Sequence, residues 1–225
     1  MHFCLAKNNK LNKSIFMLRR EYEIILVSGM GNEKNKVKAA HAAAKRAWEE
    51  LGIVTTIIDP DYVSGEFDPT IERIRQAKKS ATERGRLVAK VGSSGGGSLI
   101  LAEEMLDLEQ KKGQLPGKNV IICSRTDLEG APSNLPSVLA SAVSLVEERK
   151  STFPFSVGNT LCFTASEVDD VVPSESSVVP HARIVPIEGR SITSHFIAVG
   201  AVLLNPQHQG VIADFVRRSY TVNSW

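Results

Sequence analysis

Gly92-Ser93-Ser94-Gly95-Gly96 is the stretch with the sharpest chemical content. It satisfies G-x-S-x-G with Ser94 at the centre. A serine perched on a tight strand-to-helix turn takes unusual backbone dihedrals, and the residues two positions away on either side crowd together. Glycine at 92 and 96 removes the Cβ atoms that would clash there. Such a turn lifts the hydroxyl above the sheet edge. It also sets it at a helix N-terminus, where N–H groups and the helix dipole favour a developing negative charge. Ser93 fits the role less well, because its upstream flank is Val91. A glycine-rich loop such as Gly92 to Ser98 can also cradle a phosphate. It lacks the Lys-Ser/Thr of a Walker motif and does not read G-x-G-x-x-G.

A serine hydroxyl needs a base, and the base needs an acid to orient it. Two later segments hold such groups. Thr160 to Thr164 has strand character and is followed by Glu167, Asp169 and Asp170. Arg183 to Ile187 is a second such run, followed by His195. The order along the chain is Ser, acid, His, with Asp169 and Asp170 as rivals for the acid.

These groups meet only if the chain folds so that the loops after several strands converge, and the rest of the sequence has that form. Ile24–Val27, Val54–Ile58, Leu87–Val91, Asn119–Cys123, Thr160–Thr164 and Arg183–Ile187 are short apolar runs of strand length. Between them lie helical stretches: Lys34–Glu50, a helix capped by Asp68 with Pro69 at its first position and running to Arg84, Gly97–Lys112 and Pro136–Lys150. A last helix covers Gln207–Tyr220. The strands are continuously apolar rather than alternating, which marks a parallel sheet covered on both faces. The expectation is one α/β domain over residues 21–225: three layers, doubly wound, with a six-stranded mostly parallel sheet and helices on both faces. In such a sheet the ligand site lies beyond the C-terminal strand ends, at the point where the strand order reverses.

The elbow from Gly92 to Gly96, the run Asp169-Asp170-Val171-Val172-Pro173 and His195 after the last strand resemble the α/β-hydrolase superfamily. The layout from Glu21 onward is similar as well. The resemblance implies strand order 2-1-3-4-5-6 and a site between the first and third strands. In that family the acid's loop often reads Asp-x-Val-Val-Pro, which gives the acid role to Asp169 rather than Asp170. It gives the nucleophile to Ser94, the base to His195, and the oxyanion-hole N–H groups to Gly95 and to Met30 in the Ser28-Gly29-Met30 loop. The implied activity is cleavage of a carboxylic ester or thioester by a small, cap-poor serine hydrolase without metal or organic cofactor. Its partner would be a small-molecule acyl substrate. Three features depart from the family pattern: Ser93 precedes the nucleophile where a histidine or aromatic residue is common, Ser194 precedes the histidine where glycine is common, and the two early antiparallel strands of the fuller fold have no counterpart before Ile24. Two other readings use the same residues: an α/β-hydrolase-like binding protein without catalysis, and a phosphate- or nucleotide-binding domain built on the 92–98 loop.

Composition sets the outer bounds. The 225 residues are 42% hydrophobic and 23% charged, ordinary for one globular domain with a real core. The net charge of +2 gives no reason to expect a nucleic-acid partner. The first twenty residues carry five of the 27 bases and none of the 25 acids. They read as a basic tail ahead of a mildly acidic body. No apolar stretch is long enough to span a membrane. Three widely spaced cysteines, Cys4, Cys123 and Cys162, argue against a disulfide framework, and no His/Cys cluster has metal-ligand spacing. Together these features suggest a cytoplasmic protein. Arg125 to Asn134 is the one sizeable loop near the site, leaving little room for a cap. His41, among alanines in the first helix, reads as a packing residue, and Trp48 as core.

Overall fold

The computed structural model describes residues 21–30, 35–111, 114–165, 169, 171–187 and 194–218. The basic tail, Glu167 and Asp170 lie outside them. The order of elements is β1 (Tyr22–Val27), α1 (Asn35–Glu50), β2 (Ile53–Ile58), α2 (Phe67–Glu83), β3 (Leu87–Ser93), α3 (Gly95–Gln110), β4 (Lys118–Ile122), α4 (Ser137–Arg149), β5 (Thr160–Ala165), β6 (Arg183–Ile187), α5 (His195–Leu204) and α6 (Pro206–Arg217).

The strands form a single sheet in the order β2-β1-β3-β4-β5-β6, and every neighbouring pair is parallel. The apolar runs are explained by burial on both sides. Ile24, Leu26, Val91, Val120, Ile122 and Phe163 face one layer, against Trp48 of α1, Val202 of α5 and Phe215 of α6. Ile25, Val27, Ile121 and Cys162 face the other, against Ile74 of α2, Leu101 of α3 and Val146 of α4. Trp48 is fully buried, its indole N–H donating to the Gln209 carbonyl.

Three local expectations are corrected. Asp68 is not the cap of α2: the N-cap is Glu66, which makes no side-chain cap bond, and Asp68 and Pro69 lie inside the first turn. Helix α3 begins at Gly95 rather than Gly97, so the glycines are its first turn. Helix α5 was not anticipated at all. Its sequence, HFIAVGAVLL, is apolar all round and carries no amphipathic period to separate a helix from a strand.

Two buried polar clusters tie the sheet to its helices. Glu23 on β1 accepts from Arg84, Arg86 and Thr56. Burial raises its pKa, but those partners outweigh burial and hold the carboxyl below its usual range. Lys90 on β3 is 2% exposed and pairs with both Glu103 and Glu104 of α3. Burial pushes its ammonium down, and the two carboxylates more than reverse that. Glu104 also accepts from the Gly117 N–H at 2.5 Å.

Candidate active site

The residues that could do chemistry converge above β1, β3, β5 and β6, at the C-terminal edge of the sheet. β3 delivers Ser94. Its backbone sits at φ 52°, ψ −130°, a left-handed conformation that costs a non-glycine residue about 1–3 kcal/mol. What holds it there is close packing. A Cβ on Gly92 would lie 2.5 Å from the Gly96 carbonyl carbon. One on Gly96 would lie 2.8 Å from the Val27 carbonyl carbon and 2.9 Å from the Ser28 carbonyl oxygen. The Ser94 N–H donates to the Ile122 carbonyl at 2.8 Å, pinning the turn to β4. Ser94 is half-buried while its flanks are buried, so its side chain is the part of the turn open to a ligand.

β5 delivers Asp169 and the segment after β6 delivers His195, the first residue of α5. His195 Nε2 lies 2.7 Å from Ser94 Oγ, and His195 Nδ1 lies 2.7 Å from Asp169 Oδ2. Both side chains of the acid–imidazole pair are about 2% exposed or less. The other carboxylate oxygen, Asp169 Oδ1, accepts from the N–H groups of Val171 at 3.0 Å and Val172 at 2.8 Å. Burial raises the pKa of Asp169, but His195 and the two N–H groups outweigh it and hold the carboxyl below its ordinary value. An ionised carboxylate only accepts hydrogen bonds, so the imidazole proton sits on Nδ1 and Nε2 is left to accept from the serine hydroxyl.

The acid's loop is clamped from the side. Arg125, 5% exposed, donates to the carbonyls of Glu129 and Val171, and Thr126 donates to the Ser176 carbonyl at 2.7 Å. The loop from Arg125 to Asn134 thus bonds back onto the fold at its start. The loop after β1 is fixed in the same manner: the Ser28 hydroxyl donates to Asp59 Oδ1 at 2.7 Å, and the Tyr62 hydroxyl donates to the Ser28 carbonyl at 2.7 Å. Gly29 lies directly against the serine: a Cβ there would sit 2.6 Å from the Ser93 carbonyl oxygen and 3.1 Å from Ser94 Oγ. Met30 follows it and lines the same cleft as Ser94 and His195. Gly95 is the first residue of α3, so its N–H has no acceptor within the helix.

A second imidazole reaches the turn. His41 of α1 is 1% exposed, and its Nε2 lies 2.9 Å from Ser93 Oγ. Burial lowers its pKa, opposed by the Asp59 carboxylate and a bond to the Val37 backbone. Ser93 and His41 were expected to be a mere flank and a packing residue. Their contact spans 52 positions, and no spacing rule in the sequence would have paired them. Cys123 and Cys162 are buried free thiols, both pushed up to about 12 by burial. Among the described residues, no three His, Cys, Asp or Glu side chains group to hold a metal ion, and no helix is long and apolar enough to cross a membrane.

No protein-family model and no curated protein sequence matches the chain. Solved structures do. Est1E from Butyrivibrio proteoclasticus superposes with a TM-score of 0.63 at 13% identity, covering 88% of this chain and 90% of its own. Carboxyl esterase 2 from Tuber melanosporum superposes with a TM-score of 0.58 at 16% identity, covering 87% of this chain and 78% of its own. An esterase from Pyrobaculum calidifontis also gives 0.58, at 15% identity and over 87% and 76% of the two chains. Six parallel strands in the order 2-1-3-4-5-6, helices on both faces and these neighbours together identify the architecture of this chain as the α/β-hydrolase fold.

Proposed function

We propose that this chain is a serine hydrolase that cleaves a carboxylic ester or thioester through an acyl-enzyme on Ser94. The observation that carries the reading is the hydrogen-bonded line Asp169–His195–Ser94, both bonds at 2.7 Å, ending on a serine with φ 52°. The steps follow from the donors and acceptors. His195 Nε2 takes the hydroxyl proton as Ser94 Oγ bonds to the acyl carbon. The carbonyl oxygen becomes an oxyanion, met by the N–H groups of Gly95 and Met30. The imidazolium, steadied by Asp169, returns the proton to the leaving oxygen or sulfur as its bond to carbon breaks. Water then enters, gives its proton to His195, and releases the acid and the free serine. The names of the fold neighbours, two of them esterases, support this class over a phosphate site on the 92–98 loop.

A fluorophosphonate probe with mass-spectrometric mapping tests the reading. Label on Ser94 is expected, and none on Ser94→Ala. Ser94→Ala and His195→Ala should each abolish most turnover of a short-chain nitrophenyl ester, with the double variant losing little more, because the pair acts as one unit. Absence of label together with undiminished turnover in Ser94→Ala would sink the serine-hydrolase reading. Absence of label and of all turnover would leave a non-catalytic binding protein.

A further inference from the structure

The cleft above Ser94 continues well past the reacting groups. It has a volume of about 620 Å³ and follows α5 from His195 to Leu204 and Asn205. Ten helical residues give a track of about 15 Å. Among the described residues its walls are mostly apolar: Met30, Val37 and Ala40 on one side, Ile197, Ala201 and Leu204 on the other, with Lys36 as the one side chain of fixed charge. Ile197 is 45% exposed and Leu204 53%, so α5 spends large aliphatic side chains on a surface that water would otherwise wet. These described walls offer few partners to the polar groups of a sugar, peptide or phosphate.

One residue of α5 has no structural reason to be what it is. Glycine within a helix is unfavourable. A Cβ at Gly200 would meet nothing within 4 Å, so no neighbour demands a glycine. What its bare backbone supplies is space, since Gly200 lines the cleft midway along α5.

We infer that this track holds the acyl chain of the substrate, a straight aliphatic chain of up to about twelve carbons at about 1.25 Å per carbon along about 15 Å, and that Gly200 sets its width. The inference rests on Ser94 as nucleophile. Gly29 and Met30, from the loop whose N–H would receive the carbonyl oxygen, line the end beside Ser94. The carbonyl therefore sits at that end and the chain runs toward Leu204. Longer chains would emerge past Asn205 into water.

The test is a substrate series on the full chain: nitrophenyl esters from acetate to palmitate, and acetates of alcohols from methanol to octanol. kcat/KM should rise by about tenfold or more from acetate to octanoate and fall again by palmitate. In Gly200→Leu the octanoate-to-acetate ratio should drop by about tenfold or more. That ratio is internal to one protein sample and is not moved by loss of folded material. A flat acyl profile with acetate turned over, an unchanged ratio in Gly200→Leu, or length dependence in the alcohol series instead of the acyl series would overturn the acyl track alone. No turnover of any ester, with no fluorophosphonate on Ser94, would overturn the hydrolase reading and the track with it.

Discussion

Gly29→Ala tests how tightly the loop after β1 and the serine turn constrain each other. The added Cβ would lie 2.6 Å from the Ser93 carbonyl oxygen and 3.1 Å from Ser94 Oγ, and closer still to Ser94 Cβ. Non-bonded carbons are comfortable at about 3.5–4.0 Å, so the two segments must part by about 1 Å. Displacing a reacting group by that much costs on the order of 100-fold in rate, or about 2.7 kcal/mol of barrier. The fold itself should survive. Overpacking costs about 1–3 kcal/mol, less than a domain's usual stability of about 5–15 kcal/mol. For a domain of this size that is a fall in Tm of roughly 2–12 °C. kcat/KM on nitrophenyl acetate at 25 °C, with calorimetry on the same sample, measures both. Gly210→Ala is the control, because its Cβ meets nothing within 4 Å in α6. It should keep its activity and gain about 0.5–1 kcal/mol. A Gly29→Ala protein with kcat/KM within about threefold of the parent would refute the argument that this contact places the serine.

Asp169→Asn should lower kcat by about 10⁴, as loss of the acid does in a Ser-His-Asp triad, while Asp170→Asn stays within about tenfold; equal losses would move the assignment. Lys90→Met leaves the buried Glu103 and Glu104 with the more distant, partly exposed Lys78, 3.7 and 3.9 Å away, and should cost about 3 kcal/mol, seen as a large fall in Tm; a change under about 1 kcal/mol would mean the cluster is not held by Lys90. His41 has a folded pKa below its ordinary 6.5, so the unfolded chain takes up that proton first as pH falls. Stability should therefore drop from pH 6.5 downward until the folded pKa is reached. Melting curves of the parent and His41→Gln between pH 7 and pH 5 check this: the parent should lose more, and parallel curves would contradict it.

Much of this architecture can be read before any coordinates. The strands are legible because a sheet buried on both faces leaves unbroken apolar runs, and Ile24–Val27 or Thr160–Thr164 can be little else. The serine turn is legible because steric crowding admits only glycine at 92 and 96. The preference for Asp169 over Asp170 rests on the family resemblance and not on spacing. Other features depend on tertiary contacts. Helix α5 has no polar face, so its periodicity is silent, and with it the cleft went unseen. His41 meets Ser93 through a contact between α1 and β3 that no local rule encodes. Lys90 hides inside an apolar run, and only packing reveals that α3 supplies its two carboxylates. The early start of α3 sets poor glycine propensity against tertiary demand, and the demand wins.

The two buried cysteines lie on opposite sides of the sheet. Cys123 packs in the layer with α1, α5 and α6, and Cys162 in the layer with α2, α3 and α4. Each thiol is silent while its own layer is closed, and burial suppresses its thiolate as well. With Cys4 replaced by serine, the chain carries a separate chemical clock for each of its two layers. If the layers open together, both thiols react at one rate and report the global free energy of unfolding. If the face bearing α5 loosens first, Cys123 reacts sooner than Cys162, and the difference measures how far the wall of the cleft can open while the rest of the sheet stays shut.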